Sequence, residues 1–141
     1  MLPASGRYCS LPRKRETLWK CGGRERVTGR EDSLTGKCLV FVTCASAAEA
    51  KRIARAIVEA RLAACVNIFP GSVNSVYRWK GKVESARERL LLIKTSQKLL
   101  PKLQAAVQRL HSYDVPEFIA VPVIAGSRAY LAWLDENLKE N

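Results

Sequence analysis

Cys38-Leu39-Val40-Phe41-Val42-Thr43, followed by Cys44-Ala45-Ser46-Ala47-Ala48-Glu49-Ala50-Lys51-Arg52-Ile53-Ala54-Arg55-Ala56-Ile57-Val58, is the stretch on which the fold turns. Its first six residues are an apolar run rich in β-formers, the pattern of a buried strand. Ser46-Ala47-Ala48-Glu49 is a capping box: the serine oxygen accepts from an amide of the first helical turn while the glutamate reaches back. Ala50, Ile53, Ala54, Ile57, Val58 and Leu62 then recur at helical spacing, with Lys51, Arg52, Arg55 and Glu59 on the opposite side. A strand therefore runs straight into an amphipathic helix.

Downstream, Ala64 to Phe69 alternates and stops at Pro70-Gly71, which predicts a second strand. Ser72 to Lys80 alternates again, with Val73, Ser75, Tyr77 and Trp79 on one face. Lys80-Gly81-Lys82 predicts a hairpin turn, and the chain returns through Val83. Arg89 to Thr95 holds the apolar run Leu90 to Ile93, the signature of a central strand buried on both faces. A helix from Ser96 to Leu110 follows, with Pro101 tolerated in its first turn. Phe118 to Ile124 predicts a last strand, which Pro122 confines to an edge or bulge. Ser127 opens a C-terminal helix carrying Tyr130, Leu131, Trp133, Leu134 and Leu138. The order β-α-β-(β-hairpin)-β-α-β-α predicts an α+β fold, a ferredoxin-like split βαβ sandwich with both crossover helices on one sheet face. The other face stays bare in a single copy, so self-association is expected.

Working outward, the chain has 141 residues, enough for one domain. Residues 1–36 hold five of the eight glycines and no sustained apolar period, and read as a disordered, basic, Gly-rich extension. Residues 37–141 form the folded domain. The net charge is +11, and its excess divides between both segments. The basic residues are scattered, with Arg13-Lys14-Arg15 the densest cluster, which describes a solvated surface better than a nucleic-acid reader. No apolar stretch approaches a transmembrane length. Without a secretory h-region, a cytoplasmic location is expected; the arginine-rich start makes a mitochondrial one the alternative.

The five cysteines, Cys9, Cys21, Cys38, Cys44 and Cys65, are an odd number at irregular spacing, which excludes a zinc finger and a disulfide framework. His111 is the only histidine. Its imidazole suits Cu(II), and the thiol of Cys44 or Cys65 suits Cu(I). Against that stands a hydrogen-bonded histidine closing the second helix. Tyr77, Trp79 and Trp133 read as packing anchors at an oligomer interface. Ser112 and Asp114 beside His111 do not make a triad, and Cys21-Gly22-Gly23-Arg24 is no phosphate loop. No enzyme is expected, and no cofactor is required.

Leu62-Ala63-Ala64-Cys65-Val66-Asn67, Tyr77-Arg78-Trp79-Lys80-Gly81-Lys82, Ile93-Lys94-Thr95, His111-Ser112-Tyr113-Asp114-Val115-Pro116-Glu117 and Tyr130-Leu131-Ala132-Trp133 occur in this order. Together they resemble the divalent-cation tolerance protein CutA family, its animal branch in particular, over Leu39 to Leu138. The resemblance implies a PII-like ferredoxin fold and a tight homotrimer in which the Tyr77–Trp79 hairpin packs on a neighbouring subunit. It also implies tolerance of divalent metals with copper binding, Glu117 sharing a site with His111, and no established reaction. For mammalian members it implies a protein partner, in retaining acetylcholinesterase at membranes. The chain departs from the family pattern at His111-Ser112-Tyr113-Asp114 and in the diluted acidic run Glu84-Ser85-Ala86-Arg87-Glu88. Residues 1–36 carry none of its motifs.

Two readings follow. One is a homotrimeric protein that binds copper or a related divalent ion at His111, Glu117 and Cys44. The other is a non-catalytic trimeric scaffold for a protein partner.

Overall fold

The computed structural model describes residues 35–139, so the expectation of a disordered extension, with Cys9 and Cys21, falls outside the described residues except at its last two positions. The strands are β1 (Lys37–Cys44), β2 (Cys65–Ile68), β3 (Val73–Trp79), β4 (Lys82–Ser96) and β5 (Ile119–Pro122). The helices are α1 (Ala47–Glu59), α2 (Leu100–Leu110) and α3 (Arg128–Asn137), and a 3₁₀ turn, Gln97–Leu99, leads into α2. No helix among the described residues is long and apolar enough to cross a membrane.

The sheet runs β2-β4-β1-β5, and β3 pairs with the outer half of β4. Every pairing is antiparallel. The crossover through α1 joins β1 to β2 with β4 between them, and that through α2 joins β4 to β5 with β1 between them. This is the split βαβ arrangement of a ferredoxin-like α+β sandwich.

β4 departs from the sequence reading, which divides it into a hairpin return and a separate central strand. It is one strand of 15 residues. Its outer half pairs with β3, Val73 opposite Glu88 through Trp79 opposite Lys82. Its inner half pairs with β1, Cys44 opposite Arg89 through Lys37 opposite Ser96. The polar run Glu84 to Arg87 hides this continuity from a hydropathy reading, because the outer half buries no large apolar side chain. Lys80 and Gly81, both at positive φ, close the hairpin. β5 is shorter than expected and lies at the sheet edge, where Pro122 is tolerated.

α1 and α2 lie on one sheet face and bury Val40, Val42, Leu91 and Ile93 against Ile53, Ile57, Leu103 and Val107. α3 closes a second cluster, Leu134 and Leu138 against Ala64 and Leu99. Leu90 and Leu92 point away from α1 and α2 and are only half buried, as are Leu39 and Phe41. The central strand is thus buried on one face, not both. Ile119 and Val121 extend the open face and are exposed. Truncating Ile53, fully buried between helices and sheet, is expected to cost about 2–5 kcal/mol in a denaturant titration.

Candidate functional site

Two neighbouring sites lie where β1 ends. The first is held by the turn from β1 into α1. Ser46 caps α1, its Oγ accepting from the Glu49 amide at 3.1 Å. Glu49 reaches back one residue further than a standard box: its Oε2 accepts from the amide of Ala45 at 3.0 Å. Its Oε1 accepts from the amide of Ser112 at 2.6 Å, just past the end of α2. One carboxylate therefore ties the start of α1 to the exit of α2.

His111 sits against the same carboxylate, its Nδ1 3.9 Å from Glu49 Oε1 and its side chain fully buried. The ring's Nε2 lies 2.8 Å from the Thr43 carbonyl, and Nδ1 accepts from the Tyr113 amide at 3.0 Å. Since a carbonyl only accepts, Nε2 must carry the proton, which defines the neutral tautomer. Cys44 completes the group: its Sγ, the Glu49 carboxylate and an imidazole nitrogen all lie within 4.8 Å of one another. Burial, reinforced by the charges of Glu49 and Glu88, pushes the Cys44 thiol up to about 12. Glu49 moves the other way. Burial alone would raise it, but the amides of Ser112 and Ala45 hold it below its ordinary 4.5.

The second site is a cleft of about 660 Å³ between the β3–β4 ribbon and the loop after α2. Glu117 lines this cleft. Of the three residues expected to share a metal site, His111 and Cys44 come together and Glu117 falls into the neighbouring cleft. The third member of the buried group is Glu49, which the sequence reading takes only as a helix cap. The capping box was the signal that could have found it.

Tyr77 and Trp79 also line the cleft. The register puts them on the same ribbon face as Glu84 and Glu88. The opposite ribbon face carries Val76 and Val83, 71% and 65% exposed, which the sequence reading passes over. Trp133 lies elsewhere, stacked on Tyr130 at 5.5 Å along α3. The Lys94 ammonium lies 5.7 Å over the Tyr130 ring and 3.7 Å from Cys65 Sγ.

Residues 38–137 match the family described as CutA1 divalent ion tolerance protein. The chain is 52% identical over 99 residues to the divalent-cation tolerance protein CutA of Thermus thermophilus, a match covering 70% of this chain and 95% of that one. It is 42% identical over 139 residues to human protein CutA, across 95% of this chain and 77% of the human one. A match of that length reaches into the segment before Thr35, which the motif reading had left without a family counterpart. The crystal structure of CutA1 from Oryza sativa aligns with a TM-score of 0.73 at 44% identity, covering 77% of this chain and 99% of that one. The structure of the divalent cation tolerance protein from Thermus thermophilus aligns with a TM-score of 0.71 at 50% identity, covering 73% and 99%.

Two outcomes check the first site. In the native protein Cys44 stays unmodified by a water-soluble thiol reagent at pH 8, while half-buried Cys65 reacts; mass spectrometry of the labelled peptides reads the difference. Glu49→Ala lowers stability by roughly 3 kcal/mol near neutral pH, since two charge-assisted bonds are lost. The folded-state acidity of Glu49 is stronger than its unfolded value, so its contribution is complete above about 4.5. It fades as pH falls through the lower folded-state value, and acid titration of wild type and variant should converge there.

Proposed function

The chain belongs to the CutA1 divalent ion tolerance protein family, and on that premise we propose that it acts as a non-catalytic homotrimer in the response to divalent metal ions, taking copper weakly at His111 and Cys44. The observation that carries assembly is the pair of separate apolar surfaces on one copy. One is the ribbon face with Val76 and Val83; the other is the open sheet face with Leu39, Phe41, Leu92 and Ile119. Two different patches favour a head-to-tail contact, which closes into a ring. A ring of three is what the family resemblance implies. Tyr77 and Trp79 lie on the other face of the same ribbon, and Trp133 stacks on Tyr130, over which Lys94 lies.

The buried group supports weak metal uptake for a chemical reason. Cys44 and His111 supply the soft and borderline donors that copper prefers. Yet both ring nitrogens are engaged, both Glu49 oxygens accept from amides, and the thiol holds its proton well above neutral pH. An entering ion must break one of these bonds and displace that proton. Glu117 lines the adjoining cleft and is not part of the buried group.

Light scattering on the full chain should return a trimer before any metal is added, and Cu(II) should not change its mass. Val76→Glu combined with Val83→Glu should yield monomers; a monomeric wild type would overturn the assembly. Calorimetric uptake of copper should strengthen as pH rises and fall by about tenfold or more in Cys44→Ser and in His111→Ala. Equal uptake by the variants and wild type would remove this site.

A further inference from the structure

We propose that Tyr113 is the gate whose displacement opens the Cys44–His111 group to an ion, and that Glu88 is its latch. The inference deepens the copper reading above and rests on it: it names the side of entry and the residue that controls it.

Cys44 and the His111 side chain are fully buried, and Glu49 is 6% exposed. Entry therefore requires that something move. The group has two approaches. One is a recess of about 380 Å³ lined by Ser46, Glu49, Arg52 and Ser112. The other is the cleft, where Thr43, Glu88, Ser112 and Tyr113 form the wall nearest the group.

Charge selects the cleft side. The recess lies at the N-terminus of α1, the positive end of its dipole. Arg52 stands in it, 3.9 Å from Glu49 Oε1, so a cation is repelled on that path. On the cleft side the nearest charge is Glu88. Burial first, and then the charges of Glu49 and Glu88, push the Cys44 thiol up; Glu88 is thus within electrostatic reach of the group.

Tyr113 stands across this approach. Its ring is tilted against the His111 imidazole, with centroids 5.1 Å apart. Its amide donates to His111 Nδ1 at 3.0 Å, and its hydroxyl donates to Glu88. The other ring nitrogen, Nε2, donates to the Thr43 carbonyl. A histidine poised to bind a metal commonly gives one N–H to a backbone carbonyl and offers its second nitrogen as ligand. Here that second nitrogen is Nδ1, and the Tyr113 amide is what masks it. One displacement of Tyr113 therefore uncovers the ring and frees the lone pair. The motion is local, because Tyr113 is 37% exposed and lies in the loop after α2, outside the hydrophobic core.

The test begins without metal. The full chain is labelled with 4,4′-dithiodipyridine, and each cysteine peptide is followed by mass spectrometry. Cys44 should react about tenfold or more faster in Tyr113→Phe, which loses only the bond to Glu88, and faster again in Tyr113→Ala. Cys38, 3% exposed at the far end of the same strand, should keep its wild-type rate. Equal acceleration of Cys38 would mark general loosening and overturn the gate; so would an unchanged rate at Cys44. Stopped-flow mixing with Cu(II) then reads entry itself. Uptake should quicken by a similar factor in Tyr113→Phe with no loss of affinity, whereas a residue that held the ion would weaken it. Faster uptake in Arg52→Ala than in Tyr113→Phe would put the route through the recess and overturn the proposal. Absence of Cu(II) uptake in every variant, with the labelling difference intact, would overturn the copper reading instead.

Discussion

The Glu49 carboxylate is the joint on which the upper end of the molecule depends. It accepts from the amides of Ala45 and Ser112, and so fixes where α1 starts relative to where α2 ends. Arg52, one helical turn along α1, donates to the Leu110 carbonyl at 2.8 Å and so satisfies one of the last carbonyls of α2 from the other side. Without this joint the two helices would still bury Ile53 and Val107 on the sheet, since the hydrophobic term is non-directional. They would lose the polar register that brings His111 against Thr43 and Cys44. A buried polar network of this kind adds specificity so long as every member is satisfied. Here the carboxylate and the imidazole both are.

That satisfaction shapes the chemistry. Three residue types that suggest a metal centre in a list of spacings are, in the fold, engaged with one another and with the backbone. The thiol is protonated because it is buried beside two carboxylates, and the imidazole is engaged at both nitrogens, by the Thr43 carbonyl and the Tyr113 amide. Metal then competes with structure, and a group that contributes to folding yields its ligands reluctantly. The adjoining cleft is the reverse case: its carboxylates are spread, and most of its lining is exposed.

The long β4 strand links these features to assembly. Its inner half is the centre of the sheet, where Leu91 and Ile93 are sealed under the helices. Its outer half leaves the core and, with β3, forms a two-stranded ribbon. A ribbon of two strands is marginal by itself, and this one has one face turned to the cleft and the other exposing Val76 and Val83. Glu84 and Glu88 of β4 share the cleft face, together with Lys82 by register.

The sequence by itself determined the elements. The change of period at Ser46, the alternation of Val73 to Trp79, and the breaks at Pro70-Gly71 and Gly81 are local, short-range signals, and they placed every strand and helix to within a few residues except β4, whose outer half they split off. They also implied an open sheet face, because two crossover helices cover only one side. Tertiary structure alone decided what meets across the fold. That Glu49 is more than a cap depends on the Ser112 amide, 63 residues away. That Glu117 leaves His111 for the cleft depends on how the loop after α2 folds over the ribbon. That β4 is one strand depends on pairing with β3 on one half and β1 on the other, since backbone hydrogen bonds carry no hydropathy signal. Local periodicity reports which face of an element is buried; it holds no information on which distant side chains share that burial.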